Sequence, residues 1–333
     1  MSQELDAWLA QTVEEPLDPE LPICDPHHHL WEDRGNRFTP YLLPELRRDT
    51  ADHNVVHTVF VDCMSHYRTE GPEELRPVGE TEFVRQVAEG SARTPGCKIM
   101  GIVGFADMTL GDDAQPVLEA HVEAGGWRFK GIRHASSWDP SPDIGGYRNP
   151  PPGLLLDETV RKGIACLDRM ELSFDAQVYH HQLLEVASLA CAFPGMPIIL
   201  NHTGIPLAIG PYADKREETF AYWRASMAEL ARCENVFVKV GGFGMGSFGF
   251  GWHERERPAG SEAVAAAIAP MVHACIELFD PARCMFESNF PVDRMAFSFT
   301  VLWNAFKRVT QDLSPAEKAD LFHDTAARAY RLT

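Results

Sequence analysis

Residues 25–31 read Asp-Pro-His-His-His-Leu-Trp and directly follow a short apolar run. The apolar run predicts a β-strand, and side chains on a strand alternate between its two faces. His27 and His29 therefore point one way, together with Asp25, while His28 points the other way. Two imidazoles that converge at a strand end can hold one metal ion or one polarised oxygen. A polar turn with clustered histidines would show the same pattern. The rest of the sequence is therefore needed to distinguish a functional site from such a turn.

Length and charge limit the class of protein. The chain has 333 residues, 45% of them hydrophobic, which suits a single α/β barrel with insertions. The net charge of −18 argues against nucleic acid or an anionic membrane as the main partner. We judge no apolar run long enough to span a bilayer. The predicted partner is therefore a small-molecule substrate, and an anionic substrate would need a local Arg or Lys.

The N-terminus and the cysteines both predict a cytoplasmic protein. Residues 1–20 carry six acidic side chains and no basic one, the opposite of the charged start of a signal peptide. None of the eight cysteines forms a Cys-x-x-Cys pair, and several lie in or beside apolar runs. Reduced, mostly buried thiols account for this pattern better than a disulfide framework or a thiolate zinc site.

From residue 21 onward, short apolar strands alternate with amphipathic helices. The predicted strands lie at residues 23–27, 57–62, 99–105, 129–134, 173–178, 197–200, 236–240 and 284–287. The predicted helices lie at residues 80–91, 113–124, 157–170, 181–191, 217–232 and 261–279, with a last helix from residue 314 and weaker ones at 6–12 and 46–52. Eight such units favour an α/β fold of the (β/α)8 TIM-barrel type over a doubly wound sheet. No Gly-x-Gly-x-x-Gly motif follows an early strand, so a dinucleotide fold is not indicated.

The predicted domains are an acidic N-terminal arm at residues 1–20 and one barrel domain at residues 21–333. Two long loops interrupt the barrel units: residues 140–153 after the fourth strand and residues 241–260 after the seventh. The second loop interleaves glycines with Phe and Trp, which predicts a lid or pocket wall rather than a linker. We also expect the arm and the barrel surface to serve a homo-oligomer.

Polar residues at the carboxyl ends of barrel strands are the candidate site residues. His202 ends the sixth strand and is followed by Thr-Gly. In a barrel this position would bring it to His27 and His29 as a third partner. One histidine at a strand end has a structural role as often as a functional one. Three histidines from two strand ends favour a functional site.

Arg133, at the end of the fourth strand, is the candidate for holding a substrate carboxylate. Its alternative role is an internal ion pair, with Asp175 or Glu287 as the partner. Lys239 in the seventh strand is expected to pair with a carboxylate rather than bind an anion. The loop residues among the binding candidates have a plain surface position as their alternative. The predicted substrate-binding residues are Arg133, His134, Tyr67, Arg68, Asn289 and His253.

Short motifs occur in order along the chain: Asp-x-His-x-His-x-Trp at 25–31, Gly-Ile-Arg-His at 131–134, Leu-Asn-His-Thr-Gly at 200–204, the strand and glycines at 236–242, and Ser-Asn-Phe-Pro-Val-Asp at 288–293. As an ordered set they resemble the amidohydrolase-related (amidohydrolase-2) family, in the superfamily branch that includes sugar-lactone and pyrone-dicarboxylate lactonases. The resemblance covers the chain from about residue 21 to its end and implies a TIM barrel and a hydrolase. It also implies that His27, His29 and His202 polarise a lactone carbonyl or hold one divalent metal such as zinc. Some members of the family use zinc and others none.

One position departs from the family pattern. The family usually has an Asp at the end of the eighth strand to deprotonate the attacking water, and here that residue is Asn289. An amide is no general base at neutral pH. Asp293, four residues on and nearer the barrel mouth, is the favoured replacement as catalytic base. Glu287 is the second candidate base, but it lies deeper on the same strand face, which suits orienting a His or pairing with Arg133. The third alternative is that neither carboxylate acts.

Three functions remain open from the sequence. The leading one is a hydrolase that opens a lactone or cyclic ester of a small carboxylic acid through carbonyl polarisation and water attack. The second is a metal-dependent decarboxylase or hydratase of a small aromatic-type acid, since related branches of the superfamily catalyse both reactions. The third is a catalytically weak barrel that binds a ligand, which the loss of the usual Asp at Asn289 would explain.

Overall fold

The computed structural model describes residues 2–32 and 40–332, so the first residue of the predicted arm and the last residue of the predicted barrel domain lie outside it. Eight parallel strands form one sheet in sequential order, which confirms the predicted (β/α)8 TIM barrel. A parallel bridge between His28 and Phe290 brings the two edges of the sheet together and nearly closes the barrel. The strands are β1 (Ile23–His28), β2 (Val55–Val61), β3 (Lys98–Gly104), β4 (Phe129–Arg133), β5 (Ser173–Ala176), β6 (Ile198–Leu200), β7 (Val236–Val240) and β8 (Cys284–Phe286).

Helices surround the barrel and connect its strands. They are α1 (Ser2–Leu9), α2 (Leu43–Thr50), α3 (Val78–Ala92), α4 (Ala114–Gly125), α5 (Glu158–Arg169), α6 (Leu183–Ala192), α7 (Arg216–Leu230), α8 (Ser261–Phe279), α9 (Phe299–Val309), α10 (Pro315–Ala319) and α11 (Thr325–Ala329). The sequence does not predict α9, because its run FTVLWNAFKRV is rich in aromatic and β-branched residues of low helix propensity. Its N-cap Ser298 accepts a hydrogen bond from Val301 N, and its apolar face is buried in the barrel wall.

Local sequence explains where several helices begin. Asp157 caps α5 by accepting hydrogen bonds from the backbone N–H groups of Thr159 and Val160. Ser314 and Glu317 form a reciprocal capping box at the start of α10, where the sequence predicts that the last helix begins. These caps satisfy backbone donors that no helical carbonyl can reach, so they fix the first turn of each helix.

The inside of the barrel contains charged side chains as well as aliphatic ones. Asp25, Asp175, Lys239 and Glu287 are fully buried there. An isolated buried charge is costly, and Lys239 Nζ accordingly contacts Asp175 Oδ2 at 2.7 Å, the pairing expected for a Lys inside a barrel. The amino-terminal end of the barrel is closed by the segment that follows α11, where Tyr330 is fully buried. Charged groups inside the barrel are therefore shielded from solvent at that end.

Helix α8 corrects one expectation from the sequence. By length and composition it is apolar enough to cross a membrane, contrary to the expectation that no apolar run in the chain is long enough. In the barrel it packs against α9, α7 and β7, with Val264, Ile268 and Val272 among its buried residues. A helix that fills the interior of a protein passes the same test of length and composition.

The N-terminal arm packs along the barrel wall. Asp6 forms an ion pair with Arg294, and Glu14 Oε1 accepts a hydrogen bond from Ser261 N at 2.6 Å, in the first turn of α8. The arm therefore supplies a carboxylate to a helix N-terminus that has no side-chain cap of its own. The division into an arm and a barrel domain stays a prediction.

We expect Gly131→Ala to destabilise the barrel strongly. A Cβ at Gly131 in β4 would lie 2.2 Å from Ser173 Oγ and 2.3 Å from Ser173 O in β5, so the strands must separate. The expected loss in the free energy of unfolding is about 3 kcal/mol, measured by urea denaturation. Gly90→Ala is the control: Gly90 lies in α3, and no atom of the described residues lies within 4 Å of its Cβ position. It should gain about 0.5–1 kcal/mol, and equal effects of the two changes would contradict this packing.

Candidate active site

A cavity of about 270 Å³ lies at the carboxyl ends of the strands. All strands of a parallel barrel end on the same face, so motifs that are far apart in sequence meet there. Seven of the eight strands, all but β3, supply a wall residue at or after their last residue. The described residues of the wall are His29, Trp31, Cys63, Arg133, Tyr147, Gln177, His202, Met245, Asn289 and Val292.

Glu287 joins two of the predicted histidines beneath the cavity. Its Oε1 accepts hydrogen bonds from His202 Nδ1 at 2.6 Å and from His202 N at 3.1 Å. Its Oε2 lies 2.7 Å from His27 Nδ1, although the angle of that contact is too poor for a well-aligned hydrogen bond. All three side chains are buried. We call His202 and Glu287 the dyad.

The proton of His27 can be placed from its neighbours. Arg133 Nη1 donates to His27 Nε2 at 3.3 Å, so Nδ1 carries the ring hydrogen and directs it at Glu287. Lys239 Nζ lies 3.5 Å from the same Nδ1 and cannot donate to it in this tautomer. Burial, followed by the charge of Lys239, holds the pKa of His27 well below its usual range. His27 is therefore a neutral support of the site: its Nε2 accepts from Arg133, and its Nδ1 lies against the Glu287 carboxylate.

Two other imidazoles present a nitrogen to the cavity. His202 donates from Nδ1 to Glu287, which leaves the Nε2 lone pair for the cavity. His29 Nδ1 donates to Val61 O at 2.9 Å, which leaves its Nε2 in the same way. Burial and then Arg133 hold the pKa of His29 well below its usual range. In these tautomers both Nε2 atoms carry a lone pair and no hydrogen, which suits proton removal better than polarisation of a carbonyl.

The backbone around the dyad allows an unusually close approach. His202 and Thr203 have φ values of 53° and 54°, in the left-handed region. A Cβ at Gly242 would lie 2.7 Å from His202 Nδ1, and one at Gly241 would lie 2.4 Å from Glu287 Cγ. The two glycines after β7 thus leave space for the dyad. The strained turn after β6 fixes the orientation of the His202 imidazole.

Arg133 brings a positive charge to the cavity wall. Its Nε donates to Asp62 Oδ1 at 2.7 Å, and its Nη2 donates to the backbone O of Asp62. Asp62 Oδ2 accepts from Arg148 Nη2 at 2.7 Å. Arg133 thus forms the ion pair that the sequence offered as its alternative role, with Asp62 in place of Asp175 or Glu287. Because two guanidinium groups share one carboxylate, the cluster keeps a net positive charge beside the cavity.

Asp293, the favoured base from the sequence, lies behind the cavity wall. Its Oδ2 accepts from Gly244 N at 2.8 Å and its Oδ1 from Asn289 Nδ2 at 2.8 Å. Burial raises the pKa of Asp293 well above its usual range. Asn289 lines the cavity and Asp293 does not. Through these contacts Asp293 holds Asn289 and the loop after β7 in place. They do not support direct contact between Asp293 and a bound water.

The other predicted binding residues lie outside the cavity wall. His134 is buried and its Nδ1 accepts a hydrogen bond from a backbone N–H. The Tyr67 hydroxyl accepts from Arg148 at the edge of a neighbouring pocket. Arg68 forms an ion pair with a glutamate of α3, and His253 is 48% exposed in the glycine-rich loop. The structure therefore brings the three predicted histidines together with Arg133 and Asn289. The other four predicted binding residues lie apart from that group.

Sequence reasoning missed Tyr147 and Gln177. Both line the cavity, and the Tyr147 hydroxyl and Gln177 Oε1 are buried with no hydrogen-bond partner within residues 2–32 and 40–332. Gln177 was detectable, because it follows β5 and shares a strand face with Asp175. Tyr147 lies in the long loop after β4, and no sequence pattern predicts the conformation of that loop. Polar atoms left without a partner in a cavity wall are free to bond to substrate groups.

The donor types around Glu287 suit zinc, but their spacing does not. One ligand atom each from His27, His202 and Glu287 lie within 4.8 Å of one another, and zinc takes such a set. The Nδ1 atoms of His202 and His27 lie only 2.6 and 2.7 Å from the Glu287 carboxylate oxygens. Ligands around tetrahedral zinc lie about 3.3 Å apart.

Fixed cations add to the mismatch. Lys239 Nζ lies 3.5 Å from His27 Nδ1, and Arg133 Nη1 lies 3.3 Å from His27 Nε2. A dication bound by His27 would therefore sit beside two positive charges. His29, predicted as a third ligand, bonds to a backbone carbonyl and is not in the close group of ligand atoms among the described residues. The residues in this arrangement do not fit a bound divalent metal.

A parallel barrel with histidines and an arginine around a cavity at its carboxyl end is the architecture of a TIM-barrel enzyme. The amidohydrolase family model matches residues 24–332. The chain is also 32% identical to the uncharacterised protein y4mH of Sinorhizobium fredii, over 94% of this chain and 99% of that protein. The chain therefore belongs to the amidohydrolase family, as its motifs predict, and is a hydrolase of the amidohydrolase superfamily.

Two further relatives come from Burkholderia multivorans. The chain is 25% identical to an L-fucono-1,5-lactonase, over 92% of this chain and 95% of that enzyme. A crystal structure of an amidohydrolase with bound zinc superposes with a TM-score of 0.72 at 24% identity, over 93% of this chain and 99% of the other. At that identity the superposition shows a shared fold.

We expect Glu287→Gln to destabilise the protein. The change removes the buried negative charge that accepts both hydrogen bonds from His202, and the amide nitrogen of Gln would face an imidazole N–H. The expected cost is about 3 kcal/mol in the free energy of unfolding, measured by urea denaturation. Glu277→Gln is the matched control, because Glu277 is 66% exposed and pairs with Arg224 at the surface. Its expected cost is about 0.5 kcal/mol, and a similar cost at both positions would refute the bridging role.

Proposed function

We propose that the protein hydrolyses a lactone of a small polyhydroxy acid. The main observation is the dyad: Glu287 holds His202 by Nδ1 and leaves Nε2 facing a cavity that Arg133 also lines. An imidazole oriented by a buried carboxylate is the arrangement of a general base. The lactonase named among the relatives supports the choice of a cyclic ester.

In this proposal His202 activates the attacking water. Its Nε2 removes one proton as the water oxygen attacks the lactone carbonyl, and Glu287 stabilises the resulting imidazolium. His29 Nε2 accepts the second hydrogen of the water and so orients the attacking lone pair. Because His29 is held neutral by its burial, it keeps this acceptor role.

Arg133 stabilises the charge that develops on the carbonyl oxygen. Its guanidinium is fixed by two hydrogen bonds to Asp62, so it needs little reorganisation during the reaction. Collapse of the tetrahedral intermediate breaks the bond to the ring oxygen. The His202 imidazolium returns its proton to that oxygen, and the product is the open-chain hydroxy acid.

The cavity wall supports an uncharged, hydroxylated ring as substrate. Tyr147 and Gln177 offer neutral polar atoms that have no hydrogen-bond partner in the described part of the chain, and Trp31 and Met245 offer apolar surface for the faces of a ring. Arg133 is engaged with Asp62, which suits transient oxyanion charge better than a permanent carboxylate. This differs from the sequence expectation that Arg133 binds an acid group.

We further propose that the reaction is independent of metal, since the spacing of the dyad and its neighbouring cations argues against a bound zinc ion. No contact among the described residues favours the decarboxylase or hydratase alternative. The cytoplasmic location, the homo-oligomer and the lack of nucleic-acid or membrane partners stay predictions.

His202→Asn should reduce kcat on a responsive 1,5-lactone by at least about 100-fold, because the amide cannot remove a proton. A panel of aldonic acid 1,5-lactones and a pyrone dicarboxylate, followed with a pH indicator, gives the measurement. The control is His253→Asn, which changes an exposed loop histidine and should keep wild-type turnover. Unchanged kcat in His202→Asn would overturn the assignment. Release of CO2 from aromatic acids, with no lactone turned over, would favour the decarboxylase instead.

Metal depletion should leave the lactonase activity within about twofold of its starting value, because the dyad works through hydrogen bonds. The protein is purified in a chelator, its zinc, manganese and iron contents are measured by mass spectrometry, and turnover is compared before and after added metal. Activity that falls with the chelator and returns with stoichiometric zinc would contradict metal independence.

A further inference from the structure

The segment after α11 reaches the polar interior of the barrel from its amino-terminal end. Tyr330 is fully buried, and Leu332 packs beside Val59 and Gly101 at the same end. Leu332 contributes apolar contacts there. The Tyr330 hydroxyl is different, because it donates to Asp175, with its oxygen 2.9 Å from Oδ1 and 2.8 Å from Oδ2.

Asp175 holds a lysine that would otherwise be attracted to the dyad. Its Oδ2 accepts from Lys239 Nζ at 2.7 Å and from Asn201 Nδ2 at 3.0 Å. Lys239 Nζ also lies 5.2 Å from the centre of the Tyr330 ring, within cation–π range. All four side chains are buried, so no water competes for these contacts. Tyr330 thus contacts both members of the Lys239–Asp175 ion pair.

Lys239 is close to the Glu287 carboxylate of the dyad. Its Nζ lies 3.5 Å from His27 Nδ1, and that nitrogen lies 2.7 Å from Glu287 Oε2. Among residues 2–32 and 40–332, Glu287 Oε2 accepts no well-aligned hydrogen bond. A lysine side chain is long and flexible, so an ammonium released by Asp175 can turn to Glu287 and form a direct ion pair. That ion pair would draw the carboxylate from His202 and disturb the aim of its Nε2.

We propose that Tyr330 is a positioning residue for the reaction: by fixing Asp175 it keeps Lys239 away from Glu287 and so preserves the dyad. This inference rests on the proposed function for its kinetic consequences, but the state of the dyad can be observed without substrate. It also assigns a role to a residue that is far from the cavity and outside every motif of the sequence.

The kinetic test compares Tyr330→Phe with a control in the same segment. Tyr330→Phe removes only the hydroxyl, and we expect kcat to fall about tenfold with KM within twofold, since the substrate contacts are untouched. Leu332→Ala loosens the apolar contacts of the same segment without any polar change. It should lower the melting temperature and leave kcat within about twofold. Equal kcat values in the two variants would overturn the proposal.

A second background shows whether the lysine mediates the effect. Lys239→Met and Asp175→Asn are made together, so that no buried charge is left unpaired. In that background Tyr330→Phe should change kcat less than about twofold, because no ammonium remains to be released. A further fall of tenfold would show that Tyr330 acts by another route and would contradict the proposal.

Proton NMR gives a readout that needs no turnover. The His202 Nδ1–H that donates to Glu287 should give a far-downfield resonance in the wild type and in Leu332→Ala. In Tyr330→Phe we expect that resonance to shift or disappear, and an unchanged resonance would sink the inference. If the wild type opens no lactone, the proposed function fails while this measurement still decides the role of Tyr330.

Discussion

The Glu287 carboxylate, accepting a hydrogen bond from His202 and facing the Nδ1–H of His27, is the interaction on which the site depends. Glu287 directly follows β8, His202 follows β6 and His27 belongs to β1. One buried carboxylate therefore joins three strand ends near the point where the barrel nearly closes. Water is excluded there, so the orientation of both rings is set by the protein alone. A catalytic imidazole needs this fixed orientation before the substrate arrives.

Two other carboxylates keep Glu287 available for the imidazoles. Asp62 holds Arg133, and Asp175 holds Lys239, although both cations lie within 3.5 Å of His27. If either cation paired with Glu287, the strong attraction between buried charges would replace the hydrogen bond to His202. The interior of the barrel is thus arranged as separate ion pairs around one carboxylate that contacts neutral rings. This arrangement also explains why Glu287 lies closer to the imidazoles of this histidine-rich site than metal ligands would lie to one another.

The sequence predicts the barrel well, because alternation of short apolar strands and amphipathic helices is a local property. It also predicts that His29, His202 and Arg133 meet, because all strands of a parallel barrel end on one face. It does not predict that Asp293 turns away from the cavity, since that depends on the hydrogen bond from Gly244 N. The sequence also does not predict the role proposed for Tyr330, because that role depends on a contact with Asp175, 155 positions away in the chain. Inside a barrel several acidic and basic side chains lie within reach of one another. The alternation of residues along the strands does not indicate which of them form ion pairs.

A crystal structure with a lactam analogue of a 1,5-lactone substrate tests the central claim most directly, with diffraction data also collected at the zinc absorption edge. The account predicts the lactam carbonyl oxygen within hydrogen-bond distance of Arg133 and an ordered water between the Nε2 atoms of His202 and His29. It also predicts an unbroken contact between His202 Nδ1 and Glu287, with no anomalous peak between them. An anomalous peak bonded to His27, His202 and Glu287, with the carbonyl oxygen directed at it, would contradict the account.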